Sequence, residues 1–349
     1  FRLYSKLEIM IKQNKKVLVI RCGLLGDTVD ATSVIEPLRE IYGANLEIHW
    51  VSKPGISNLF KYDGRINKVF KLKHTRLPFL FNLEKFKIIL NSIFSPYDLI
   101  LNLEVGSKFN DIVRYSRSVN KIGMPMNYIP DDIFEEHRVK HQLRILDRLN
   151  ASYKKEKASP SIIGIEINSI KDKYPIDKPY IVLCPTNSHV GNLNHRGYRS
   201  WPEKNWKQLI NKILEKKIFN IILVGSKEEK KYFNTFYPLQ QRVFDLSGMT
   251  DVPELITLMQ ESKCVVATDS GSAHIAGASA KNIISIHGPT NSYQSAPYKT
   301  ANNSVKIASL NLECSPCYDT EVIKKCKKNI CMQSLDADII YGMIEEFNL

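Results

Sequence analysis

The stretch "KKVLVIRCGLLGDTVDATSV", residues 15–34, decides the fold of the first half of the chain. Its apolar run, residues 17–20, predicts a buried strand that stops at a short loop holding Gly23, Gly26 and Asp27, and a helix-like segment follows. Such a turn usually binds nucleotide phosphates, because the helix start offers free N–H groups. A carboxylate here would repel a phosphate, so Asp27 needs another explanation.

Apolar, β-branched runs alternate with amphipathic segments along the chain, which is typical of parallel sheets flanked by helices. In the first half the predicted strands are residues 17–20, 46–51, 99–103 and 121–123, and Gly43 closes a helix over "DATSVIEPLREIYG". The second half restarts at "YIVLCP" and continues with "FNIILVGS", "CVVATDSGS" and "NIISIHGPT". The segment "SWPEKNWKQLINKILEKK" predicts a helix with Ser200 and Glu203 as a capping box and Pro202 in its first turn.

These patterns predict an α/β protein with two doubly wound, Rossmann-like domains facing across a cleft. The domains are expected over residues 1–165 and 166–330, with a polar linker region around 151–179. A C-terminal helix over 331–349 is expected to pack back on the first domain. Ligands of open α/β sheets bind at the carboxyl ends of the strands, so the loops there are the candidate site.

The charge of the chain is unevenly distributed. The net charge is +13, and residues 1–160 carry 27 lysines and arginines against 17 acids. This excess predicts an anionic partner for the first half, such as a phosphorylated acceptor, a membrane surface or nucleic acid; a solvated lysine-rich surface is the alternative. Seven cysteines without a secretory signal, and no apolar run long enough for a bilayer, predict a cytoplasmic protein.

Polar loops follow the strands of the second half. The stretch "VVATDSGSAHIAGASA" places Asp269, Ser270, Gly271 and His274 between a buried strand and a helix start, a position that favours a diphosphate. A plain turn with a serine cap is the alternative. Arg199 precedes another predicted helix and could bind the same phosphates. Ser226 and Glu228, after a third strand, could bind a ribose or a base.

Taken together, these motifs resemble glycosyltransferase family 9, the ADP-heptose:lipopolysaccharide heptosyltransferases of GT-B fold. The resemblance rests on "VLVIRCGLLGDTVDATSVIEPLRE", "RSWPEKNW", "VATDSGSAHIAGA", "HGPTN" and the cysteine pattern "CSPC…C…CM". It implies an N-terminal acceptor domain, a C-terminal nucleotide-sugar donor domain and no cofactor for catalysis.

The resemblance also assigns roles to residues. Asp27 matches the family's catalytic carboxylate, and Gly23 and Gly26 belong to the acceptor loop. The donor would be bound by Arg199, where relatives commonly carry a lysine, together with Ser226, Glu228, Asp269, Ser270, Gly271 and His274. A donor diphosphate on the second domain leaves the first glycine loop free of phosphate. Asp27 can then take the proton from the attacking acceptor hydroxyl, and direct displacement gives inversion. Capping of the following helix is the alternative role.

Four closely spaced cysteines form a separate motif, Cys314, Cys317, Cys326 and Cys331. Four thiols in a cytosolic chain predict a structural zinc or iron site; reduced thiols without metal are the alternative.

The predicted function is therefore inverting transfer of heptose from ADP-heptose to an anionic glycolipid, the lipid A–Kdo type acceptor of the lipopolysaccharide inner core. Alternatives are another nucleotide sugar, a protein acceptor such as an autotransporter, a nucleotide-sugar epimerase, or a nucleic-acid-binding protein. No nucleic-acid recognition motif is present, so nucleic acid is not an expected partner.

One basic segment predicts peripheral contact with the inner face of the inner membrane. Residues 71–90 mix apolar side chains with five basic residues, Lys71, Lys73, Arg76, Lys85 and Lys87. The alternative is one or two ordinary surface helices that pack Phe79, Phe81 and Phe86 into the first domain.

Overall fold

The computed structural model describes residues 14–73, 77–123, 136–174, 176, 178–187, 197–216, 218–318 and 320–349. The chain forms two compact units, residues 1–133 with 139–159 and residues 134–138 with 160–349. The division after residue 159 falls inside the predicted linker region and slightly before the predicted boundary at 165. Arg76 lies outside the described residues.

The first unit is built on a five-stranded parallel sheet. Its strands are β1 (Lys16–Ile20), β2 (Glu47–Ser52), β3 (Lys68–Lys71), β4 (Tyr97–Asn102) and β5 (Ser118–Gly123). Their order in the sheet is β3-β2-β1-β4-β5, and every pair is parallel. The helices that follow are α1 (Leu25–Ala31), α2 (Ile35–Tyr42), α3 (Leu83–Phe94), α4 (Asn110–Tyr115) and α5 (Arg138–Asp147). Short 3-10 turns cover Thr32–Val34, Ser57–Phe60, Phe79–Phe81 and Lys155–Lys157.

The second unit repeats this plan with six parallel strands. These are β6 (Tyr180–Cys184), β7 (Asn220–Leu223), β8 (Val243–Asp245), β9 (Cys264–Thr268), β10 (Asn282–Ile286) and β11 (Ser304–Ala308), in the order β11-β10-β9-β6-β7-β8. Its helices are α6 (Ile167–Lys173), α7 (Glu203–Glu215), α8 (Lys230–Phe233), α9 (Val252–Glu261), α10 (Gly271–Ser279), α11 (Ser292–Ser295), α12 (Glu321–Lys324), α13 (Ile330–Gln333) and α14 (Ala337–Glu345), with a 3-10 turn at Asn234–Phe236. Two parallel-sheet α/β units were predicted, and the structure confirms them.

In each sheet the strand order reverses between two neighbouring central strands, and the loops after these two strands lie side by side. The first strand of each unit, β1 or β6, lies in the middle of its sheet next to β4 or β9. Ligands of doubly wound sheets bind outside the carboxyl ends of such a pair, where the two loops diverge. The loop after β1 leads into α1, whose first turn carries Asp27, and the loop after β9 carries Asp269 and Ser270.

The predicted helix over "SWPEKNWKQLINKILEKK" is confirmed as α7, but its predicted capping box is wrong. The helix begins at Glu203, and the residue at its N-cap is Pro202, whose side chain makes no capping hydrogen bond. Ser200 lies in the preceding turn, where its hydroxyl accepts a hydrogen bond from Asn187 Nδ2 at 3.1 Å. The serine therefore joins two loops instead of starting the helix.

The predicted packing of the C-terminal helix on the first domain is also wrong. Ile340 and Ile344 of α14 belong to the buried core of the second unit, together with Leu209 of α7. Just before α14, the carbonyl of Leu335 accepts a hydrogen bond from the indole N–H of Trp201 at 2.8 Å. The apolar side of α14 is buried by its own unit, which explains this placement. Among the described helices, none is long and apolar enough to cross a membrane.

Candidate active site

The side chain of Asp27 lies at the start of α1, with both carboxylate oxygens in defined contacts. One oxygen, Oδ2, accepts a hydrogen bond from the backbone N–H of Leu24 at 3.1 Å. The other, Oδ1, lies 3.2 Å from Arg21 Nη2. The side chain is 21% exposed, so the carboxylate is fixed yet still open to solvent. Asp27 is the third residue of α1 and Leu24 occupies the N-cap, so the carboxylate holds the helix start without being the N-cap itself.

Arg21 connects Asp27 to a buried carboxylate on the neighbouring strand. Its Nη1 donates to the carbonyl of Leu103 at 2.8 Å and lies 3.8 Å from Glu104 Oε1. Glu104 follows β4, is 5% exposed and accepts a 2.6 Å hydrogen bond from the Cys22 backbone N–H. A chain of contacts therefore runs from Glu104 through Arg21 to Asp27, and it fixes the direction of the Asp27 carboxylate.

Gly23 leaves the space that this arrangement needs. A Cβ atom at position 23 would lie 2.8 Å from the Cβ of Asp27 and 3.0 Å from its Oδ2. It would also lie 3.3 Å from Arg21 Nε. Any other residue would displace the carboxylate, the guanidinium or both. Gly26 is buried within α1.

In the second unit, Arg199 and Asp269 form an ion pair at the carboxyl edge of the sheet. Arg199 Nη1 lies 3.2 Å from Asp269 Oδ2, and the two side chains are 16% and 4% exposed. The guanidinium also lies 5.2 Å from the centre of the Tyr318 ring, a distance suited to a cation–π contact. Because Asp269 is buried against Arg199, its carboxylate positions the arginine.

Two histidines, His274 and His287, lie close to Asp269. Burial disfavours ionisation of Asp269, but the charges of His287, Arg199 and His274, with a hydrogen bond from Thr290, lower its pKa. Burial lowers the pKa of His287, although the Asp269 carboxylate acts in the opposite direction. The two ring nitrogens of His287 lie 2.9 Å from Ser285 Oγ and 3.2 Å from Thr290 Oγ1. Asp269 is therefore held as an anion that anchors Arg199.

Each unit keeps buried polar atoms at this edge that have no hydrogen-bond partner within the described part of the chain. They include Arg21 Nε in the first unit and Arg199 Nε and Ser270 Oγ in the second. Buried polar groups are nearly always satisfied, because leaving one unpaired costs about 1–3 kcal/mol. Ser270 stands at the N-cap of α10 without capping it, so its hydroxyl remains available to a ligand. Gly271 and His274 lie in the first turn of the same helix.

The loop after β7 carries the predicted ribose- or base-binding residues, and their role stays a prediction. Ser226 and Glu228 are both exposed. The neighbouring Glu229 is turned inward, where its Oε2 accepts hydrogen bonds from Thr186 Oγ1 at 2.9 Å and from the Ser226 N–H at 2.8 Å. Glu229 therefore connects the loops after β6 and β7, while the Glu228 side chain remains open to solvent.

The cysteine segment, residues 314–331, packs against the loop that follows β10. The backbone N–H groups of Cys317 and Tyr318 both donate to the carbonyl of Pro289 at 2.8 Å. Burial raises the pKa of Cys331 to about 11, with further increases from the other three cysteines. Yet the described residues contain no group of three or more His, Cys, Asp or Glu side chains arranged to hold a metal ion. The metal site stays a prediction.

Sequence reasoning missed three residues of this site: Arg21, Glu104 and His287. Glu104 and His287 each follow a buried strand at the carboxyl edge of its sheet, the position from which the other candidates were chosen. The position after a buried strand was therefore the sequence feature from which Glu104 and His287 could have been predicted. Arg21 directly follows β1, and nothing in its sequence context distinguishes it from a surface arginine.

Comparison with known proteins identifies the family. The family model "Glycosyltransferase family 9 (heptosyltransferase)" matches residues 127–328, which is more than half of the chain. The chain belongs to glycosyltransferase family 9. It is therefore a glycosyltransferase, as the motifs around Asp27 and Asp269 predicted.

Similar proteins cover nearly the whole length. The lipopolysaccharide core heptosyltransferase OpsX of Haemophilus influenzae is 21% identical over 347 residues, covering 96% of this chain and 97% of that protein. A crystal structure of a family 9 glycosyltransferase from Veillonella parvula matches with a TM-score of 0.78 at 14% identity, covering 96% of this chain and 98% of the other. The E. coli ADP-heptose LPS heptosyltransferase II matches with a TM-score of 0.72, also at 14% identity, over 95% and 98%. These likenesses confirm the predicted GT-B type fold.

Proposed function

We propose that this glycosyltransferase moves heptose from ADP-heptose to a lipid A–Kdo type acceptor of the lipopolysaccharide inner core, with inversion at the anomeric carbon. Membership of family 9 supports this proposal. So do the names of its relatives, a lipopolysaccharide core heptosyltransferase and an ADP-heptose LPS heptosyltransferase.

One observation carries the donor half of the proposal. The buried Arg199–Asp269 pair lies beside the start of α10, with Ser270 Oγ and Arg199 Nε lacking partners among the described residues. A guanidinium can bind a phosphate through two parallel hydrogen bonds, and a helix start favours negative charge. A nucleoside diphosphate would satisfy both unpaired atoms.

The proposed reaction is a single displacement. The acceptor hydroxyl oxygen forms a bond to the anomeric carbon of the heptose as the bond from that carbon to the diphosphate oxygen breaks. Asp27 takes the hydroxyl proton, and Arg199 compensates the charge that develops on the departing ADP. Attack on the face opposite the leaving group inverts the configuration. Arg21 and Glu104 act as positioning residues for Asp27.

The acceptor is proposed to be an anionic glycolipid reached at the inner face of the inner membrane. The positive charge of residues 1–160, 27 basic against 17 acidic residues, suits a phosphorylated lipid headgroup. No nucleic acid is part of the proposal.

A donor screen tests the proposal. The full chain is mixed in turn with ADP-heptose, other ADP-sugars and UDP- and GDP-sugars, and its melting temperature is measured. Turnover is then followed with a Kdo–lipid A acceptor. ADP-heptose is expected to raise the melting temperature most, because a ligand that binds only the folded state stabilises it. If only a different nucleotide sugar stabilises the protein and is turned over, the alternative donor is supported. If the sugar is transferred to a protein but not to the glycolipid, the alternative acceptor is supported.

A further inference from the structure

Helix α3 of the first unit has a strongly apolar outer face. Its exposed large side chains are Leu83, Phe86, Leu90, Ile93 and Phe94, spaced so that they share one side of the helix. The preceding turn adds Leu80 and Phe81, which are 69% and 77% exposed. Together these seven residues form the α3 face. Soluble surface helices normally place polar residues on the outer side.

The α3 face is not needed to hold the helix in place, because the opposite side of α3 does this. Ile88, Ile89 and Ser92 are buried beneath it. Lys85 is also buried, and its Nζ contacts both carboxylate oxygens of Asp111, at 2.9 and 3.0 Å. Lys85 was predicted to belong to the basic membrane-facing set, and that prediction is wrong. It is an internal anchor.

The concentration of exposed apolar side chains is unusual within this molecule. Of 22 large apolar side chains exposed in the described residues, eight lie between residues 77 and 94. Phe79 is partly buried against the Tyr115 ring, 5.0 Å away, whereas Phe81 and Phe86 remain exposed. The alternative of an ordinary helix that buries all three phenylalanines is therefore wrong. Monomeric proteins rarely expose apolar patches of this kind unless they contact a partner or a membrane.

Lysines surround the α3 face. Lys68 and Lys71 of the edge strand β3, Lys73 just after it and Lys87 of α3 are all exposed. An open groove of about 650 Å³ between β3 and α3 brings Lys68, Lys71 and Lys87 together with Leu90 and Phe94. Glu84 also lines this groove and is paired with Lys87 at 2.8 Å. The groove thus combines apolar surface with a net positive charge.

This surface adjoins the Asp27 loop. Strands β1 and β3 are parallel members of one sheet, so their carboxyl ends share an edge. The Sγ of Cys22, in the Asp27 loop, donates to the carbonyl of Leu72 at 3.0 Å. The segment carrying Lys71 and Lys73 is therefore in direct contact with the loop that bears the candidate base.

We propose that the α3 face and its lysines dock on an anionic lipid bilayer. Lysines around exposed aromatic and aliphatic side chains are the composition that interfacial membrane surfaces share, because the apolar groups enter the headgroup region and the lysines meet anionic lipids. Charge complementarity favours the bilayer over a second copy of this chain, since two such surfaces would bring like charges together. Docking here would present the Asp27 loop to a lipid-borne acceptor.

The test is co-sedimentation of the full chain with vesicles of phosphatidylcholine alone or mixed with phosphatidylglycerol. One variant carries Lys71→Gln, Lys73→Gln and Lys87→Gln. A second carries Leu80→Ser, Phe81→Ser and Phe94→Ser. The matched charge control carries Lys171→Gln, Lys204→Gln and Lys281→Gln, three exposed lysines of the second unit. All these side chains are exposed, and the Lys87–Glu84 pair on the surface contributes little to stability.

The native chain is expected to bind the anionic vesicles preferentially. Each lysine near an anionic surface contributes about fivefold in affinity, so the first variant should bind roughly 100-fold more weakly. The serine variant should also lose binding, and the control should keep most of it. The proposal would be overturned if the lysine control lost as much vesicle binding as the first variant, or if the native chain showed no preference for anionic vesicles. It would also be overturned if the native chain bound no vesicles but formed a dimer in solution, and the serine substitutions dissociated that dimer. The vesicles contain no sugar acceptor, so this result is independent of the proposed heptosyl transfer.

Discussion

Asp27 has two tasks that were alternatives at the sequence level and coexist in the structure. One carboxylate oxygen holds the Leu24 N–H at the start of α1, and the other faces Arg21. Both contacts fix the direction of the carboxylate, while 21% of the side chain remains exposed. A proton acceptor needs this combination of a defined position and access for the substrate.

The Asp27→Asn variant separates the two tasks. The amide keeps an oxygen that can accept the Leu24 hydrogen bond but cannot take up a proton. We expect kcat to fall by roughly 10² or more, while the ADP-induced increase in melting temperature stays the same. Turnover close to that of the native chain would leave Asp27 with its structural task alone.

Gly23 makes a sharper test of geometry. In Gly23→Ala the new methyl group would stand 2.8 Å from the Cβ of Asp27, so the carboxylate must move. Displacement of about 1 Å can cost roughly 10²-fold in rate. Gly64→Ala is the matched control, because no atom lies within 4 Å of its added Cβ. Equal kcat in the two variants would contradict the assigned role of Gly23. Thermal unfolding of both variants is measured to check that the fold is kept.

The residues that sequence reasoning missed share a physical cause. Glu104 and His287 act from buried positions, 5% and 1% exposed, where they hold other side chains. Glu104 contacts Cys22 and Arg21, and His287 contacts Ser285 and Thr290. These contacts become visible only when the strands are placed side by side. Motif positions such as Asp27 and Asp269 need no such placement, so they could be predicted.

Among the secondary-structure elements, the central strands were predicted, whereas of the four described edge strands only β5 was predicted, over residues 121–123. The buried strands β1, β4, β6, β9 and β10 read as continuous apolar runs. Strand β3, Lys-Val-Phe-Lys, and strand β11, Ser-Val-Lys-Ile-Ala, lie at sheet edges with exposed lysine or serine ends. An edge strand meets solvent and mixes polar with apolar residues, so its sequence resembles a loop.

The loops around α10 yield a prediction for donor binding. Arg199→Ala should weaken ADP binding by roughly 10- to 100-fold, as expected for the loss of a charge-assisted hydrogen bond. The same change leaves Asp269 buried without its partner and lowers stability. Arg199→Lys is therefore measured in parallel, since it keeps the charge and loses only the forked geometry. Calorimetric ADP affinities equal to the native value in both variants would remove Arg199 from the donor site.

Cys22 and the cysteine segment, residues 314–331, yield a prediction about thiol reactivity. Burial and the nearby Glu104 raise the pKa of Cys22 to about 12, so its thiol should resist iodoacetamide at pH 8 in the folded chain. If the segment holds a structural zinc or iron ion, Cys314, which is exposed, should also resist until a chelator is added. Mass spectrometry of the labelled peptides, with elemental analysis of the protein, measures both. Labelling of Cys314 without chelator and no bound metal would contradict the metal site.

The two units of the whole molecule share one strand topology, and they differ in the side chains that their loops carry. Each places its candidate groups at the point where the strand order reverses, beside β1 and β4 or beside β6 and β9. The division into two such units followed from the sequence, because the strand–helix alternation restarts after the polar stretch. The position of α14 did not follow from the sequence, since the pattern of an amphipathic helix at a chain end fits either unit. Its contacts with α7 and β10 show that it belongs to the second unit.

Product analysis tests the central claim most directly. The full chain is incubated with ADP-heptose and a Kdo–lipid A acceptor, and the glycolipid is examined by mass spectrometry for its mass and by NMR for its anomeric configuration, with Asp27→Asn as the control. We expect a product heavier by one heptose residue, an anomeric configuration opposite to that of the donor, and roughly 10²-fold less product from the variant. An unmodified glycolipid, with ADP-heptose left intact, would contradict the proposed transfer.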